Sequence, residues 1–503
     1  MKIKLRQLLP AKKVACRSHL PVREVSLTAG TAVLAVLAAS ALLLMGCATP
    51  MAAPPSPALA QASEFGAAPA TTPWPDRRWW SRYGDPTLER LVDQALAGQP
   101  ALRAVQARIR VADAAVRAAD AARQPQAALS ADATDQRFSE NGIFPPPLAG
   151  STRWLANAQA GAGWELDLFG RQRAALDSAI GQWRAASADA QAARVLLAAN
   201  VTAGYFNLAR LIEERAVATE ALQQREQIVA IVRQRITAGL DTQVDLKQAE
   251  GLVAQSNVEI EALAESIGRA RHALAELVGS GPQALDALAP QLSPIASFAV
   301  PDSLPADLLG RRADLVAQRW RVESALRDSD VARTQFYPNI NLSAFVGLSS
   351  IGLNRLLDSG SLTYGAGPAL RLPLFEGGRL QANLDARHAD VDASIEAYNA
   401  ALLRALREVA DELTGLRSIE RQQSAQREAT AAATAAYDLA VQRYRAGLGN
   451  FLVVLTAQTN VLTQRSLQTD LKARHLASEV ALVRALGGGF DAGGELPQTT
   501  AAR

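Results

Sequence analysis

The sequence predicts a mainly α-helical protein, written twice, that lends four strands to a membrane β-barrel. Three observations carry this expectation. The chain repeats itself at long range, some stretches alternate strictly between apolar and small or polar residues, and its helical stretches far exceed those of an ordinary core.

The repeat comes first. "PQAALSA" at Pro125 returns as "PNINLSA" at Pro338, "LDLF" at Leu166 as "LPLF" at Leu372, and "QRITAGL" at Gln234 as "QRYRAGL" at Gln442. The offsets are 213, 206 and 208 residues, in the same order along the chain. Each copy reads as a helix, two strands, a very long helix, a glycine-containing turn and a last helix. The predicted helices span Thr87–Ala122, Arg171–Thr237 and Thr242–Val278 in the first copy. In the second they span Pro305–Gln335, Arg379–Ala446 and Asn450–Leu486.

The strands declare two environments. Ala156, Ala158, Ala160, Ala162, Trp164, Leu166 and Leu168 share one face, opposite Asn157, Gln159, Gly161, Gly163, Glu165 and Asp167. In the second copy Leu362, Tyr364, Ala366, Leu370, Leu372 and Leu374 oppose Ser361, Thr363, Gly365, Gly367 and Arg371. Residues 338–349 alternate likewise, with Ile340, Leu342, Ala344 and Val346 opposite Asn339, Asn341 and Ser343; Phe345 breaks the pattern. A soluble sandwich alternates too, but strands of about 9–11 residues also span a bilayer, and small polar residues on one face suit a water-filled barrel. Four strands do not close a barrel, and an open edge in lipid leaves backbone groups unsatisfied at several kcal/mol each. The expected protein is therefore an oligomer with a shared barrel.

The helices fit a rod. Residues 171–237 would extend roughly 100 Å at 1.5 Å per residue. Leu246, Val253, Ile260, Ile267 and Leu274 repeat every seven residues, as do Leu455, Leu462, Leu476 and Val483 with Thr469 between them. That spacing predicts left-handed coiled-coil packing. In each copy the two shorter helices together match the long one in length.

At the N-terminus, Lys2, Lys4, Arg6, Lys12, Lys13, Arg17 and Arg23 precede an apolar run from Ala29 to Met45. This is the grammar of a secretory signal, with a single anchoring helix as the alternative. Leu44-Met45-Gly46-Cys47 resembles the lipobox of bacterial lipoproteins, which implies that Cys47 becomes the lipidated first residue. The expected division is a signal peptide 1–46, an Ala/Pro-rich linker 47–75, a first repeat 76–278, a connector 279–304, a second repeat 305–487 and a tail 488–503. Removing 1–46 takes away seven of 52 Lys/Arg and one of 49 Asp/Glu, leaving 45 basic and 48 acidic residues. No basic patch remains to point to nucleic acid. Loss of Cys16 leaves no partner for an intrachain disulfide. His272, His388 and His475 are isolated within helices, and no catalytic, cofactor or metal spacing stands out.

The two helix-to-helix turns are the functional candidates, at the end of the rods farthest from the membrane. Gly239 and Gly447 suit the left-handed conformation that ends a helix. Thr242 with Asp245, and Asn450, suit the caps of the helices that follow. Asp241 and Arg445 flank these turns.

Membrane strands, paired rods and a duplication resemble the TolC-type outer-membrane efflux factors, in their NodT/OprM-like lipoprotein branch. The resemblance runs from "WWSRYGDPTLERLVDQAL" at Trp79 to about Gly487, through "LLGRRADLVAQRW" at Leu308, "LFEGGRL" at Leu374 and "RYRAGLGNFLVVLTAQ" at Arg443. It implies a trimer in outer-membrane lipid, with a twelve-stranded barrel and an α-helical periplasmic tunnel. It also implies a periplasmic adaptor docked at the turns, an inner-membrane pump of RND type, and export rather than catalysis. Two positions depart from the family pattern: Ala313 stands where a proline is common, and Val453 and Thr456 are uncharged where the constriction often carries acid. The exit duct of a type I protein secretion system has the same architecture and is the alternative. A structural coiled-coil trimer leaves the alternating strands unexplained.

Overall fold

The computed structural model describes residues 55–65, 74–292 and 308–492. Cys47, the leader 1–46, residues 48–54 and 66–73 of the linker, 293–304 of the connector and 493–503 of the tail lie outside them.

The chain folds in two successive copies of one pattern. The first copy contains α1 (Pro86–Gly98), α2 (Pro100–Ala121), β1 (Gln126–Arg137), β2 (Thr152–Leu166), α3 (Arg171–Thr237) and α4 (Gln243–Val278). The second contains α5 (Leu308–Arg311), α6 (Ala313–Thr334), β3 (Asn339–Ile351), β4 (Leu362–Arg371), α7 (Arg379–Arg445) and α8 (Phe451–Ala485).

The expected first helix, Thr87–Ala122, is two helices. Gln99 is extended, at φ −64° and ψ 122°, because Pro100 excludes the helical region for the residue before it. Pro100 then opens α2, where its missing N–H costs nothing. The expected helix Pro305–Gln335 is likewise interrupted, at Arg312 (φ −111°, ψ 117°). That guanidinium is buried and donates to Asp314, to Glu408 (2.9 Å) and to the Ala485 carbonyl (3.1 Å). Ala313 therefore starts its helix from an anchored residue without needing proline.

The four strands form one antiparallel sheet in the order β1-β2-β3-β4. Leu129, Ala160, Val346 and Tyr364 align across it on one face; Ser130, Gln159, Gly347 and Thr363 align on the other. Trp154 and Trp164 sit ten residues apart on the apolar face, about 33 Å along the strand at 3.3 Å per residue. They bracket a run of alanines, as an aromatic girdle brackets a lipid-facing band.

The strands end sooner than expected. Leu168 falls beyond β2, and Leu372 and Leu374 fall beyond β4, next to Pro373, which has no N–H for a ladder. Asp167, expected on the polar strand face, instead accepts the backbone N–H groups of Gln172 (3.1 Å) and Arg173 (2.9 Å) and caps α3. Phe345 does lie on the polar face. Its ring covers Gly365, where a Cβ would stand 2.7 Å from it. A glycine opposite is what admits an aromatic ring among small residues.

Below the sheet, α3 packs on α2, α4 and α6, and α7 on α6 and α8. All the heptad positions turn inward; Ile267, Leu274, Leu476, Val483 and Thr469 are fully buried. The two copies close on one core at mid-rod, where Trp79, Tyr83 and Leu88 meet Tyr205, Phe206 and Leu476. A short N-terminal segment lies against α7: Asn399 accepts from the Ala60 N–H (2.9 Å) and donates to the Ala58 carbonyl (3.2 Å).

Candidate functional site

Both turns at the tips of the rods are built alike. Gly239 (φ 73°) and Gly447 (φ 76°) take the left-handed conformation. Each is followed by a leucine N–H that reaches back to close the helix end, Leu240 to the Arg235 carbonyl and Leu448 to the Arg443 carbonyl, both at 2.9 Å. This is a Schellman ending, which satisfies carbonyls that otherwise lack partners. The next helices are capped from the side. The Asn450 amide oxygen accepts from the Val453 N–H at 3.2 Å. Thr242 and Asp245 form a reciprocal capping box, with the Thr242 N–H donating to the Asp245 carboxylate at 2.9 Å. The Thr242 hydroxyl and backbone hold the Asp245 carboxyl below its usual range.

One polar cluster ties the two turns together. The Arg235 guanidinium donates to both oxygens of Asp241, at 3.0 and 3.2 Å, and to the Tyr444 carbonyl at 2.7 Å. It also lies over the Tyr444 ring, 4.3 Å from its centroid. The Tyr444 hydroxyl donates to Asp241. Burial, and then the Asp241 carboxylate, push the Tyr444 phenol well above its ordinary value. The Asp241 side chain is only 7% exposed, so this carboxylate faces Arg235 and Tyr444 rather than water. Beneath the cluster, Tyr444, Phe451 and Val454 pack on Ile228, Val229 and Val232.

The structure brings Gly239, Asp241, Thr242 and Asp245 together with Gly447 and Asn450 at one end of the molecule. Arg445 is at the same end but points into solvent, outside the cluster. Val453 and Thr456 are exposed on α8, and the Thr456 hydroxyl donates to the Leu452 carbonyl (2.8 Å). Arg235 and Tyr444 were not singled out from the sequence. The signal for them was a mismatch between copies. At the offset of 208, Asp241 faces Gly449 and Ile236 faces Tyr444, so the acid of one copy and the phenol of the other are both unrepeated. Asp245 corresponds to Val453, so the reciprocal cap exists only in the first copy. Around the cluster the tips expose Leu240, Val244, Leu448, Leu452 and Val453.

Among the described residues no three His, Cys, Asp or Glu side chains gather as a metal site. The arrangement holds the two hairpins together through one shared polar cluster.

A four-stranded antiparallel sheet carried on two 67-residue helices is the architecture that places this chain in a class. The outer membrane efflux protein family matches residues 91–280 and 304–488. The fusaric acid resistance protein FusA of Burkholderia cepacia is 37% identical over 377 residues, 72% of this chain and 70% of that one. The multidrug resistance outer membrane protein MdtP of Escherichia coli K12 is 31% identical over 432 residues, 84% and 88% of the two chains. Among solved structures, the outer membrane protein VceC of Vibrio cholerae superposes with a TM-score of 0.77 at 34% identity, covering 83% of this chain and all of that one. The chain belongs to the outer membrane efflux protein family, whose members are channels. Its fold is that of the trimeric channels: four strands per protomer in a twelve-stranded barrel, above an α-helical tunnel. It is an outer-membrane exit duct for efflux.

Proposed function

We propose that this duct completes a tripartite assembly, taking drugs or other small molecules from an inner-membrane pump of RND type through a periplasmic adaptor docked on its tips. In this reading the two repeats, 76–278 and 305–487, are the working parts. The N-terminal cysteine of the mature chain, Cys47, carries lipid that anchors it to the outer membrane beside the barrel.

The observation that carries the docking assignment is the pairing of exposed apolar side chains with capped, glycine-ended turns at the same extremity. Leu240, Val244, Leu448 and Leu452 are exposed on rigid hairpins, far from any membrane-facing strand. Apolar surface on a fixed scaffold is the kind that a partner hairpin covers. Gly239, Thr242, Gly447 and Asn450 hold the shape. Arg235, Asp241 and Tyr444 fasten one hairpin to the other and keep the mouth narrow, with Val453 and Thr456 as its uncharged lining. Both first-copy acids already have partners, Asp241 in Arg235 and Tyr444 and Asp245 in its cap, so closure rests on packing and this latch rather than on a ring of charge.

The test is a photo-reactive residue at Leu448 in cells that carry a candidate pump operon. Cross-linking to the adaptor, together with drug sensitivity when Leu448 and Leu240 are both changed to Asp, is the expected result. Unchanged resistance in that double variant, at normal channel levels, would refute docking at the tips.

A further inference from the structure

The foot of the sheet has two sides. On one, the Arg171 guanidinium donates to Glu165, a residue of the polar strand face, so this side of α3 looks into the lumen. Successive residues of a helix turn by about 100°. Arg173 and Asp177 therefore point about 200° and 240° away from Arg171, toward the outside of the channel.

On that outer side, where α6 ends and α3 begins, lies a cavity of about 510 Å³. Ligand pockets usually measure about 300–1,000 Å³. The wall nearest the sheet is formed by Phe169 and Tyr337, whose rings stack with centroids 5.1 Å apart and 10° from parallel. The other walls carry Arg173, Arg327 and Arg333 together with Asp177 and Asp330.

Height and charge both single this cavity out. Phe169 follows Trp164, at the lower end of the lipid-facing band, by five residues, and Tyr337 stands two residues before β3. Aromatic rings at the end of such a band sit at headgroup level in a bilayer. Arg327 is already engaged, donating to Glu323 at 2.8 Å and to Asp330 at 3.2 Å. Arg173, Arg333 and Asp177 are exposed, and among the described residues none of their side chains has a hydrogen-bond or ion-pair partner. Spare charges are ordinary on a wetted rod. Here two guanidiniums and a carboxylate surround one hollow, under an aromatic wall, at the level of the lipid phosphates.

We propose that this cavity binds the headgroup of a glycerophospholipid from the periplasmic leaflet, with its phosphodiester between Arg173 and Arg333 and an ethanolamine ammonium at Asp177. The guanidinium fork matches phosphate oxygens, and charge assistance strengthens each bond. Asp177 favours a headgroup that carries an amine over an anionic one without it. The acyl chains rise past the stacked rings toward Leu168, which is 62% exposed. The site does not recur with the duplication. At the offset of 213, Arg327 and Arg333 correspond to Ala114 and Asp120; at 208, Arg173 corresponds to Gln381. The trimer therefore holds three such lipids.

The test is native mass spectrometry of the full-length trimer, stripped of lipid and titrated with phosphatidylethanolamine, phosphatidylglycerol or inorganic phosphate alone. The wild type is expected to take up three phosphatidylethanolamine molecules per trimer. Arg173→Gln with Arg333→Gln should bind them about thirtyfold more weakly, as expected for two guanidiniums lost beside a lipid surface. Arg215→Gln with Arg421→Gln removes the same charge from exposed positions along the rods and should bind as the wild type does. Equal binding by the wild type and the Arg173/Arg333 variant, or an equal loss in the rod control, overturns the site. If the double variant yields no trimer, Arg333→Gln alone carries the test, with an expected loss of about fivefold. Inorganic phosphate that displaces the lipid at equal concentration would make this a free-anion site and overturn the lipid assignment. Asp177→Asn should abolish the preference for phosphatidylethanolamine over phosphatidylglycerol; an unchanged preference refutes the ammonium contact.

Discussion

Tyr444 shows what a single hydroxyl does here. It donates to a carboxylate already held by Arg235, so Tyr444→Phe leaves the ring in its core and removes one charge-assisted bond. The expected loss is about 1.5–3 kcal/mol, the range for hydrogen bonds to charged groups. The hairpins should part more readily, and cells should become more sensitive to large antibiotics that the closed mouth excludes. Asp241→Asn should act in the same direction, and intact exclusion in both variants would remove the latch. His475 gives a pH dependence. Its Nε2 lies 3.2 Å from Glu479, a carboxylate 1% exposed, and this bond raises the imidazole above its ordinary value, with Glu420 adding to the effect. The unfolded imidazole titrates near 6.5. The pair's contribution is therefore complete below that pH and fades as the pH climbs through the raised folded value. Thermal unfolding at pH 6 and pH 8 should differ more in the wild type than in His475→Gln. In the sequence this histidine looked solitary, because its partner is one helical turn away on the buried side of α8, which carries an apolar heptad seam.

The helices and turns were the most legible elements. The caps at Thr242 and Asn450 could be read because their chemistry is local, and the heptads because they recur. The breaks at Gln99 and Arg312 differ in kind. A single predicted helix passed over each, although Pro100 marks the first locally; the second depends on Glu408 and Ala485, distant in sequence. At this scale Gly447→Val is informative. Nothing lies within 4 Å of the added Cβ, so its cost is backbone strain alone, at least about 1–2 kcal/mol for a side chain at positive φ. Trimers should assemble at normal levels while export falls, and Gly239→Val should match it. Drug susceptibility at measured channel levels reads this out; full export with both turns altered would make them simple connectors. The strand faces were legible as alternation, but their ends were not, since the pairing register and Pro373 decide them. Val346→Arg, on the apolar face of β3, should cost on the order of 2–4 kcal/mol near mid-membrane. Ser343→Arg, on the opposite face, should be mild. Trimer yield in outer-membrane fractions distinguishes them, and equal yields, or the reverse order, would overturn the face assignment.

At the scale of the whole molecule, the lipid proposed on Cys47 would be an attachment separate from the barrel. A closed sheet satisfies its own edges, so Cys47→Ser should abolish palmitate labelling and still leave inserted trimers. Intact-mass measurement of the wild type should show an acylated N-terminus; an unmodified cysteine would end the lipid assignment. The architecture was legible because it was written twice, and the latch was missed because it sits where the copies disagree. That disagreement has a consequence for whatever ring the duct meets. In a trimer the six hairpins alternate between one bearing Asp241 and Asp245 and one bearing Gly449 and Val453 in the same places. A collar of six identical subunits would find two kinds of seat in turn around the rim, one closed by the Thr242–Asp245 box and one by Asn450 alone, and would fill them with unequal affinity.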